Sequence, residues 1–331
     1  MSILVTGGAG YVGRHTAKLL HVSGLQPVVL DNLTTGRRDQ TDWGPFIEGD
    51  IANVGLVRSL IREHRVTAVI HLAASAHVGD SMARPDAYYR NNVTGTAALL
   101  EAMCAEGVKQ MVFASSCSVY GNSASTAAHE DEPVLPMSPY GESKLVTERA
   151  LPWYQLAFGL QWVALRYFNV AGADESMGED LAVCRRIIPR TVHAAVGGGS
   201  ALRVFGAEFD TPDGSAVRDY VHVSDVAQAN LLALHYVERG EPSAVMNIAA
   251  GIGTSVLQII DEVGRQTGQP VPHHLEAAQG GDPGCAIADI SRARQKLGWV
   301  PAVSGLQNIV ASVLHSGKIR AGLLAEVSAN R

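Results

Sequence analysis

Short apolar runs alternate with longer stretches of helical periodicity over the first half of the chain. The apolar runs cover residues 2–6, 26–30, 46–51, 66–72 and 109–114. Several are apolar at consecutive positions, as expected of strands that are buried on both faces of a sheet. Runs of this kind that alternate with helices are typical of a parallel sheet covered by helices on both sides. We therefore predict an α/β fold with a doubly wound parallel sheet.

A glycine-rich segment follows the first apolar run and precedes a stretch with helical spacing of apolar residues. Its sequence is GGAGYVG at residues 7–13. Glycines let the backbone turn tightly and approach a pyrophosphate, and the N-terminus of the next helix offers N–H groups and a positive dipole. In this context the segment predicts a Rossmann-type sheet that binds a dinucleotide. The alternative is a plain glycine turn between a strand and a helix.

The second apolar run leads directly into an acidic residue, Asp31. A carboxylate at this strand end binds the ribose 2′-hydroxyl of NAD and disfavours the 2′-phosphate of NADP. Arg37 and Arg38 follow a few residues later and are able to bind such a phosphate. We give Asp31 more weight because of its place at the strand end, and we expect NAD as the cofactor.

A tyrosine and a lysine four residues apart, Tyr140 and Lys144, follow a capping serine and a proline at positions 138 and 139. On a helix this spacing puts both side chains on one face. An ammonium group beside a phenol lowers the phenol's pKa, so Lys144 is expected to make Tyr140 a usable general base. Ser116 ends the fifth apolar run and is expected to donate to a substrate oxygen. The alternatives are a solvated Tyr–Lys pair and a serine-rich loop without a role.

Two long helices are predicted around these residues. One covers residues 86–106, with Asn91 and Asn92 near its start, where they either face solvent or bond strand ends beneath the cofactor. The other starts at Tyr140 and contains Pro152, so we expect it to kink or end there.

The overall composition narrows the class of protein. The chain has 331 residues, a net charge of −6 and 47% apolar residues, and it has no basic run, which argues against nucleic acid or an anionic membrane as a main partner. The four cysteines lack the spacing of a zinc site or a disulfide framework, so no metal is expected. No apolar stretch is long enough to span a bilayer. We expect a cytoplasmic protein.

Taken together, the motifs resemble the extended short-chain dehydrogenase/reductase family, and within it the nucleotide-sugar 4-epimerases such as UDP-glucose 4-epimerase. The resemblance covers nearly the full length. The glycine and Tyr/Lys motifs specify only the superfamily. The stretch LRYFN at 165–169 also carries the resemblance. The epimerase branch is indicated by two further stretches, which are VFG at 204–206 with DTPDG at 210–214, and VRDYVHV at 217–223.

The resemblance implies an NAD-binding domain over residues 1–170, to which 220–250 returns, and a smaller α+β nucleotide-sugar-binding domain over 171–331. It also implies that Tyr140 takes the proton of the sugar 4-hydroxyl while hydride passes from C4 to NAD⁺. The 4-keto sugar then rotates and takes the hydride back on its other face. Ser116 would hold the 4-oxygen, and Lys144 would tune Tyr140 and bind the nicotinamide ribose. The homodimer that the family often forms would use the two long helices.

The resemblance assigns the remaining site residues as two sets. The cofactor set comprises Gly7, Gly10, Tyr11, Val12, Gly13, Asp31, Asn32, Leu33, Thr34, Thr35, Gly36, Asp50, Ile51, Leu72, Ala73, Ala74, Asn91, Ser116, Tyr140, Lys144, Tyr167 and Phe168. The substrate set comprises Ser116, Tyr140, Asn169, Arg186, Val204, Phe205, Arg218, Asp282 and Ala286.

Several positions depart from the family pattern. Many of these epimerases have a lysine where this chain has Ala76 and an arginine where it has Gln279, so two cations near the diphosphate are missing. Arg186 or Arg190 is expected to supply one in their place. Narrow-pocket members have a tyrosine where Ala286 stands, so N-acetylated sugars are expected to be accepted as well as plain ones.

Three alternative functions stay open. A UDP-glucuronate 4-epimerase would use an added cation such as Arg186 for the substrate carboxylate. A decarboxylase or dehydratase of the same superfamily is the second alternative, although dehydratases carry an Asp-Glu pair where Cys117 and Ser118 follow Ser116. A non-catalytic NAD-binding protein is the third, and it would usually have lost Tyr140 or Lys144.

Overall fold

The computed structural model describes residues 1–122, 127–174, 177–178, 184–197, 200–206, 208–277 and 284–316. Its strands are β1 Ser2–Thr6, β2 Gln26–Asp31, β3 Phe46–Glu48, β4 Val66–His71, β5 Gln110–Ser116, β6 Gln161–Tyr167, β7 Asn169–Ala171, β8 Leu202–Phe205, β9 Val217–His222, β10 Ala244–Ile248, β11 Gly253–Ser255, β12 His273–Glu276 and β13 Cys285–Ala286. Its α-helices are α1 Tyr11–Val22, α2 Val54–Glu63, α3 Val78–Ala83, α4 Pro85–Tyr88, α5 Gly95–Ala105, α6 Pro139–Phe158, α7 Ile187–Ala195, α8 Val223–Glu238, α9 Val256–Thr267, α10 Ser291–Leu297 and α11 Leu306–His315.

The largest sheet has seven parallel strands in the order β10-β6-β5-β4-β1-β2-β3. All five residues of β1 are buried, as the run of apolar positions predicts. Helices cover both faces and form separate apolar cores on each side. The predicted doubly wound fold is confirmed. The strand order reverses between β1 and β4, and in open α/β sheets ligands bind at the carboxyl ends of the strands at such a point.

The seventh strand comes late in the chain. After β6, the chain forms β7, α7, β8 and β9 away from this sheet, and only β10 pairs in parallel with β6. The smaller sheet joins β11, β9, β13 and β7, while β8 pairs with β12. A third apolar core lies among α7, α9 and α11. This threading is compatible with the predicted return of residues 220–250, and the exact domain boundaries stay a prediction.

The predicted helix over residues 86–106 is interrupted by a wider turn. The structure has α4, then a π-helical segment Tyr89–Thr94, then α5. Asn92 lies in this segment and is almost fully buried. Single π-helical turns often mark functional sites because they redirect one side chain. The sequence has uniform helical spacing in this region, so it predicts a continuous helix and not this wider turn.

The helix α6 continues through Pro152 to Phe158, so of the two expected outcomes, a kink or an end at Pro152, the end is not observed. Proline removes one backbone N–H from the helical ladder. The next residue toward the N-terminus, Leu151, is fully buried in the apolar core, while Pro152 is exposed. The packing of the buried face holds the helix together. The backbone hydrogen bond that Pro152 cannot donate is missing on the exposed face, where water is available. None of the helices within the described part of the chain is long and apolar enough to cross a lipid bilayer.

Candidate active site

A cleft of about 1050 Å³ opens along the carboxyl ends of the parallel strands. Residues that the sequence assigned to cofactor or substrate contribute a large part of its wall. Those that line it are Gly7, Gly10, Tyr11, Val12, Gly13, Asp31, Asn32, Thr34, Thr35, Ile51, Leu72, Ala73, Ala74, Asn91, Ser116, Tyr140, Tyr167, Phe168, Asn169 and Arg186. The fold thus gathers residues from most of the predicted site into one place.

The glycine segment forms a close-packed turn between β1 and α1. Gly7 has a φ of +69°, and a Cβ on it would lie 2.6 Å from the backbone nitrogen of Ala73. A Cβ on Gly13 would lie only 2.1 Å from the carbonyl oxygen of Gly7. At either position a larger residue would require the backbone to move. Because these glycines have no side chains, the surface of the turn at the start of α1 stays open to a bound group.

Asp31 lies at the carboxyl end of β2 and organises the adjacent loop. Its Oδ2 accepts from the N–H of Ala9 at 3.0 Å, and its Oδ1 accepts from the N–H of Leu33 at 2.8 Å. Burial raises the pKa of this carboxyl, and the surrounding backbone N–H groups oppose that rise. Arg37 forms a bidentate ion pair with Asp39. The carboxylate of Asp31 lines the cleft beside the glycine segment.

The serine cap and the tyrosine lie as the sequence predicts. The Oγ of Ser138 accepts from the N–H of Gly141 at 3.1 Å, and Pro139 is the first helical residue. Tyr140 lies beside Ser116, the last residue of β5, and both line the cleft. Burial raises the pKa of Tyr140 to about 12, although the nearby Ser116 hydroxyl acts to lower it. A substrate hydroxyl between these two groups would meet one donor and one proton acceptor.

Lys144 lies one helical turn farther along α6, beneath the wall of the cleft. Its Nζ donates to the carbonyl of Ala114 at 2.8 Å and lies 5.0 Å from the ring centroid of Phe113. Burial lowers the pKa of Lys144 to about 7, and the nearby Glu148 carboxylate acts to raise it. Burial dominates the pKa of the phenol here and the ammonium group is directed to a carbonyl, so the tuning of Tyr140 by Lys144 stays a prediction.

Asn92 joins three elements of the site, a role that sequence reasoning had left open. Its Oδ1 accepts from the N–H of Ser75, and its Nδ2 donates to the Ser75 carbonyl and to the Oγ of Ser143. These bonds tie the loop after β4 to the catalytic helix. Asn92 is therefore not solvated, and it bonds the loop after β4 and the helix α6 rather than a strand end. Its neighbour Asn91 lines the cleft.

The sugar side of the site is assembled differently. Arg186 lies on the cleft wall with its guanidinium carbon 3.8 Å from the ring centroid of Tyr11. Next to it, Arg185 forms an ion pair with Asp80 at 2.9 Å. Arg218 lies on β9 and donates to the carbonyl oxygens of Val217 and Gly284.

Some assigned residues lie away from the described lining of the cleft. They are Leu33, Gly36, Asp50, Lys144, Val204, Phe205, Arg218 and Ala286. Asp50 accepts from Asn32 at 3.1 Å, and Val204 is buried in the third core. Ala286 is the register partner of Arg218 in the smaller sheet. Asp282 and Gln279 lie outside the described residues.

Comparison with known proteins decides the family. Residues 3–249 match the NAD dependent epimerase/dehydratase family. The chain belongs to this family. A UDP-glucose 4-epimerase of Azospirillum brasilense is 42% identical, with 94% of this chain and 90% of that protein covered. The predicted membership of the extended short-chain dehydrogenase/reductases is confirmed.

Solved structures of family members have the same fold. A UDP-glucose 4-epimerase from Brucella ovis, in complex with NAD, is 42% identical and has a TM-score of 0.92, with 96% of this chain and 98% of that chain covered. A UDP-glucose-4-epimerase from Stenotrophomonas maltophila, with bound NAD and formylated UDP-arabinopyranose, is 34% identical, with a TM-score of 0.92 and coverage of 98% and 99%.

The residues of this family member fit NAD. The glycine segment leaves space that a Cβ at Gly7 or Gly13 would fill, and it lies at the N-terminus of α1. Asp31 presents a carboxylate at the end of β2. Both features are those that a dinucleotide with an unmodified ribose requires. The chain is accordingly an NAD-dependent family member, as the sequence predicts.

Proposed function

We propose that this protein is a UDP-sugar 4-epimerase that interconverts UDP-glucose and UDP-galactose through a 4-keto intermediate, with NAD bound throughout. The observation that carries this proposal is that Ser116 and Tyr140 lie side by side in the wall of a dinucleotide cleft. The two groups suit a sugar hydroxyl that must lose and regain a proton. The named relatives of Azospirillum brasilense and Brucella ovis support the same reaction.

Each step of the reaction has a residue in this chain. Tyr140 takes the proton of the 4-hydroxyl, Ser116 donates to the same oxygen, and Lys144 fixes the strand end that carries Ser116 through its bond to Ala114. NAD, when bound, supplies a hydride acceptor and donor at C4 and a positive charge that favours the phenolate. After the keto sugar has rotated in the site, Tyr140 returns its proton to the 4-oxygen.

The nucleotide-sugar end is proposed from sequence and position together. Asn169 and Arg186 lie in the cleft wall and are assigned to the sugar diphosphate. Guanidinium groups bind phosphates by paired hydrogen bonds, so Arg186 takes over one of the cations missing at Ala76 and Gln279. Val204, Phe205 and Arg218 are assigned to the nucleotide, with Asp282 on its ribose. Ala286 leaves room for an N-acetyl group.

Incubation with UDP-galactose, followed by NMR of the C4 proton, tests the proposal. The expected result is inversion to UDP-glucose without added NAD and without net NADH. Protein that retains NAD but inverts neither UDP-galactose nor UDP-glucose would contradict the proposal and favour a non-catalytic NAD-binding protein. A 4-keto-6-deoxy product would instead indicate a dehydratase, and loss of CO₂ from UDP-glucuronate in the same assay would indicate a decarboxylase.

A UDP-glucuronate 4-epimerase is a second candidate because of Arg186. This cation lies in the cleft wall against Tyr11, where it would meet a substrate carboxylate as readily as a phosphate. The same NMR assay with UDP-glucuronate distinguishes the two. Faster inversion of the uronate than of UDP-galactose would favour this candidate.

We further propose a homodimer that uses α5 and α6. Large apolar side chains of α6 are exposed, with Trp153 at 69%, Leu156 at 78% and Phe158 at 52%. Next to them a groove of about 620 Å³ lies between the two helices. A second copy would cover this face. Light scattering on the purified protein tests this, with twice the monomer mass expected and the monomer mass contradicting it.

A cytoplasmic location is part of the same proposal. The four cysteines, Cys104, Cys117, Cys184 and Cys285, are all free thiols in the structure. Free thiols persist in reducing compartments, whereas secreted proteins usually pair them. Fractionation of cells that produce the protein tests the location.

A further inference from the structure

A third polar residue continues the stripe that Tyr140 and Lys144 form on α6. Glu148 follows Lys144 by four residues on the same helix, so successive turns carry a phenol, an ammonium group and a carboxylate. Lys144 and Glu148 are both buried, with 4% and 7% of their surface exposed. A buried carboxylate is costly unless it has partners, so its contacts show what it does.

Glu148 holds the ends of two neighbouring strands. Its Oε1 accepts from the Oγ of Ser115 at 2.5 Å and from the Nε of Arg166 at 3.0 Å, and its Oε2 accepts from the Nη2 of Arg166 at 2.7 Å. Ser115 on β5 and Arg166 on β6 are register partners, so one carboxylate bridges the two strands. Ser115 directly precedes Ser116, the residue that lies beside Tyr140 in the cleft wall.

Lys144 and Glu148, one helical turn apart on α6, therefore both bind the carboxyl end of β5. Lys144 binds the carbonyl of Ala114, and Glu148 binds the side chain of the next residue, Ser115. The position of Ser116 relative to Tyr140 depends on both contacts. A shift of about one ångström at a catalytic group is enough to slow a reaction strongly.

Glu148 is also the partner of a buried cation. Arg166, only 4% exposed, pairs with it at 2.7 Å and donates through Nη1 to the carbonyl oxygen of Glu130. Removing one partner of a buried ion pair is strongly destabilising, so this pair fixes the end of β6 against that of β5.

We propose that Glu148 is a positioning residue of the epimerase reaction, which holds Ser116 in register with Tyr140 by bridging Ser115 and Arg166. This inference rests on the proposed function. Without the Glu148 carboxylate, the hydroxyl of Ser115 and the guanidinium of Arg166 would lose a shared partner, and the end of β5 that carries Ser116 would be free to shift.

Glu148→Gln tests the proposal because it keeps the size of the side chain and replaces one acceptor oxygen by a donor. We expect kcat to fall by about tenfold to a hundredfold, because a shift of about one ångström at a catalytic group slows the reaction strongly, while KM for the UDP-sugar and NAD content stay near wild type. Glu142→Gln, the same change in the first turn of α6, is the matched control and is expected to keep the wild-type kcat. An unchanged kcat in Glu148→Gln would overturn the proposal.

Glu148→Asp separates the charge of the side chain from its reach. It retains the carboxylate on a shorter stem, so it cannot hold Ser115 and Arg166 as Glu148 does, and kcat is expected to fall while KM stays near wild type. If Glu148→Gln does not fold, this variant decides alone, and a wild-type kcat in Glu148→Asp overturns the proposal.

A measurement that needs no turnover keeps this test apart from the proposed function. A crystal structure of NAD-loaded Glu148→Gln is expected to show Ser116 displaced from Tyr140 by about one ångström relative to the wild type. A wild-type protein that inverts no sugar would contradict the proposed function, whereas an unmoved Ser116 would overturn the role of Glu148.

Discussion

The nucleotide side and the sugar side of the cleft are built on different principles. The nucleotide side consists of strand ends and one glycine turn within about the first 120 residues, and its geometry is dictated by backbone sterics at Gly7 and Gly13. The sugar side combines β7, α7 and β9, which come from separate parts of the chain. A short motif is enough to specify the first side, whereas the second depends on which loops meet.

The catalytic residues lie where the two sides join, so the largest expected effect comes from them. Tyr140→Phe keeps the ring and removes the proton acceptor, and we expect turnover to fall by about 10²–10⁴-fold. NAD content and UDP-sugar binding should remain near wild type. Steady-state kinetics and the absorbance of released cofactor measure both, and a loss of less than tenfold would exclude Tyr140 as the base.

The nucleotide side is tested next by adding one methyl group. In Gly13→Ala the new Cβ would meet the Gly7 carbonyl at 2.1 Å, and overpacking of this kind typically costs about 1–3 kcal/mol. We expect NAD to be lost on dialysis and the melting temperature to fall.

The matched control for that change is Gly55→Ala in α2. A Cβ there has 3.5 Å to its nearest neighbour, the side chain of Asn53, and alanine favours a helix. We expect NAD retention to be unchanged and stability to be equal or higher. If both variants retain NAD alike, the backbone of the glycine turn is less constrained than the structure implies.

The sugar side is tested by filling the space at Ala286. In Ala286→Tyr a phenol would occupy the volume that we assign to an N-acetyl group, so activity on UDP-N-acetylglucosamine should fall by about tenfold to a hundredfold relative to UDP-glucose. Cys285→Tyr is the control, because successive strand residues point to opposite faces and Cys285 is exposed. An equal substrate ratio in wild type and Ala286→Tyr would place the pocket elsewhere.

The smallest effect is expected for cofactor choice. Asp31→Ser removes a carboxylate that would repel a 2′-phosphate, and it also removes two acceptors of backbone N–H groups. We expect NAD affinity to fall and the preference over NADP to narrow by about tenfold, in keeping with the loss of one charged contact. Calorimetry measures both, with the exposed Asp42→Ser as control. Equal affinities in the wild type would contradict the assigned role.

The difference between the two sides also explains what the sequence could predict. Strand and glycine patterns located the sheet, Asp31 and the Tyr140–Ser116 pair because local chemistry determines them. The π-helical turn at Asn92 and the bridge from Glu148 to Arg166 depend on contacts between distant segments. The direction in which Lys144 points depends on the depth of burial, which spacing alone does not give.

The late return of β10 has a consequence for how the chain is made. Until residue 248 has left the ribosome, β6 is an edge strand, although six of its seven residues are buried in the finished protein. Exposed apolar edges attract other strands. About eighty residues separate β6 from the strand that covers it, and such distant pairings form slowly. The nucleotide half therefore keeps an open edge at β6 until its last strand is synthesised.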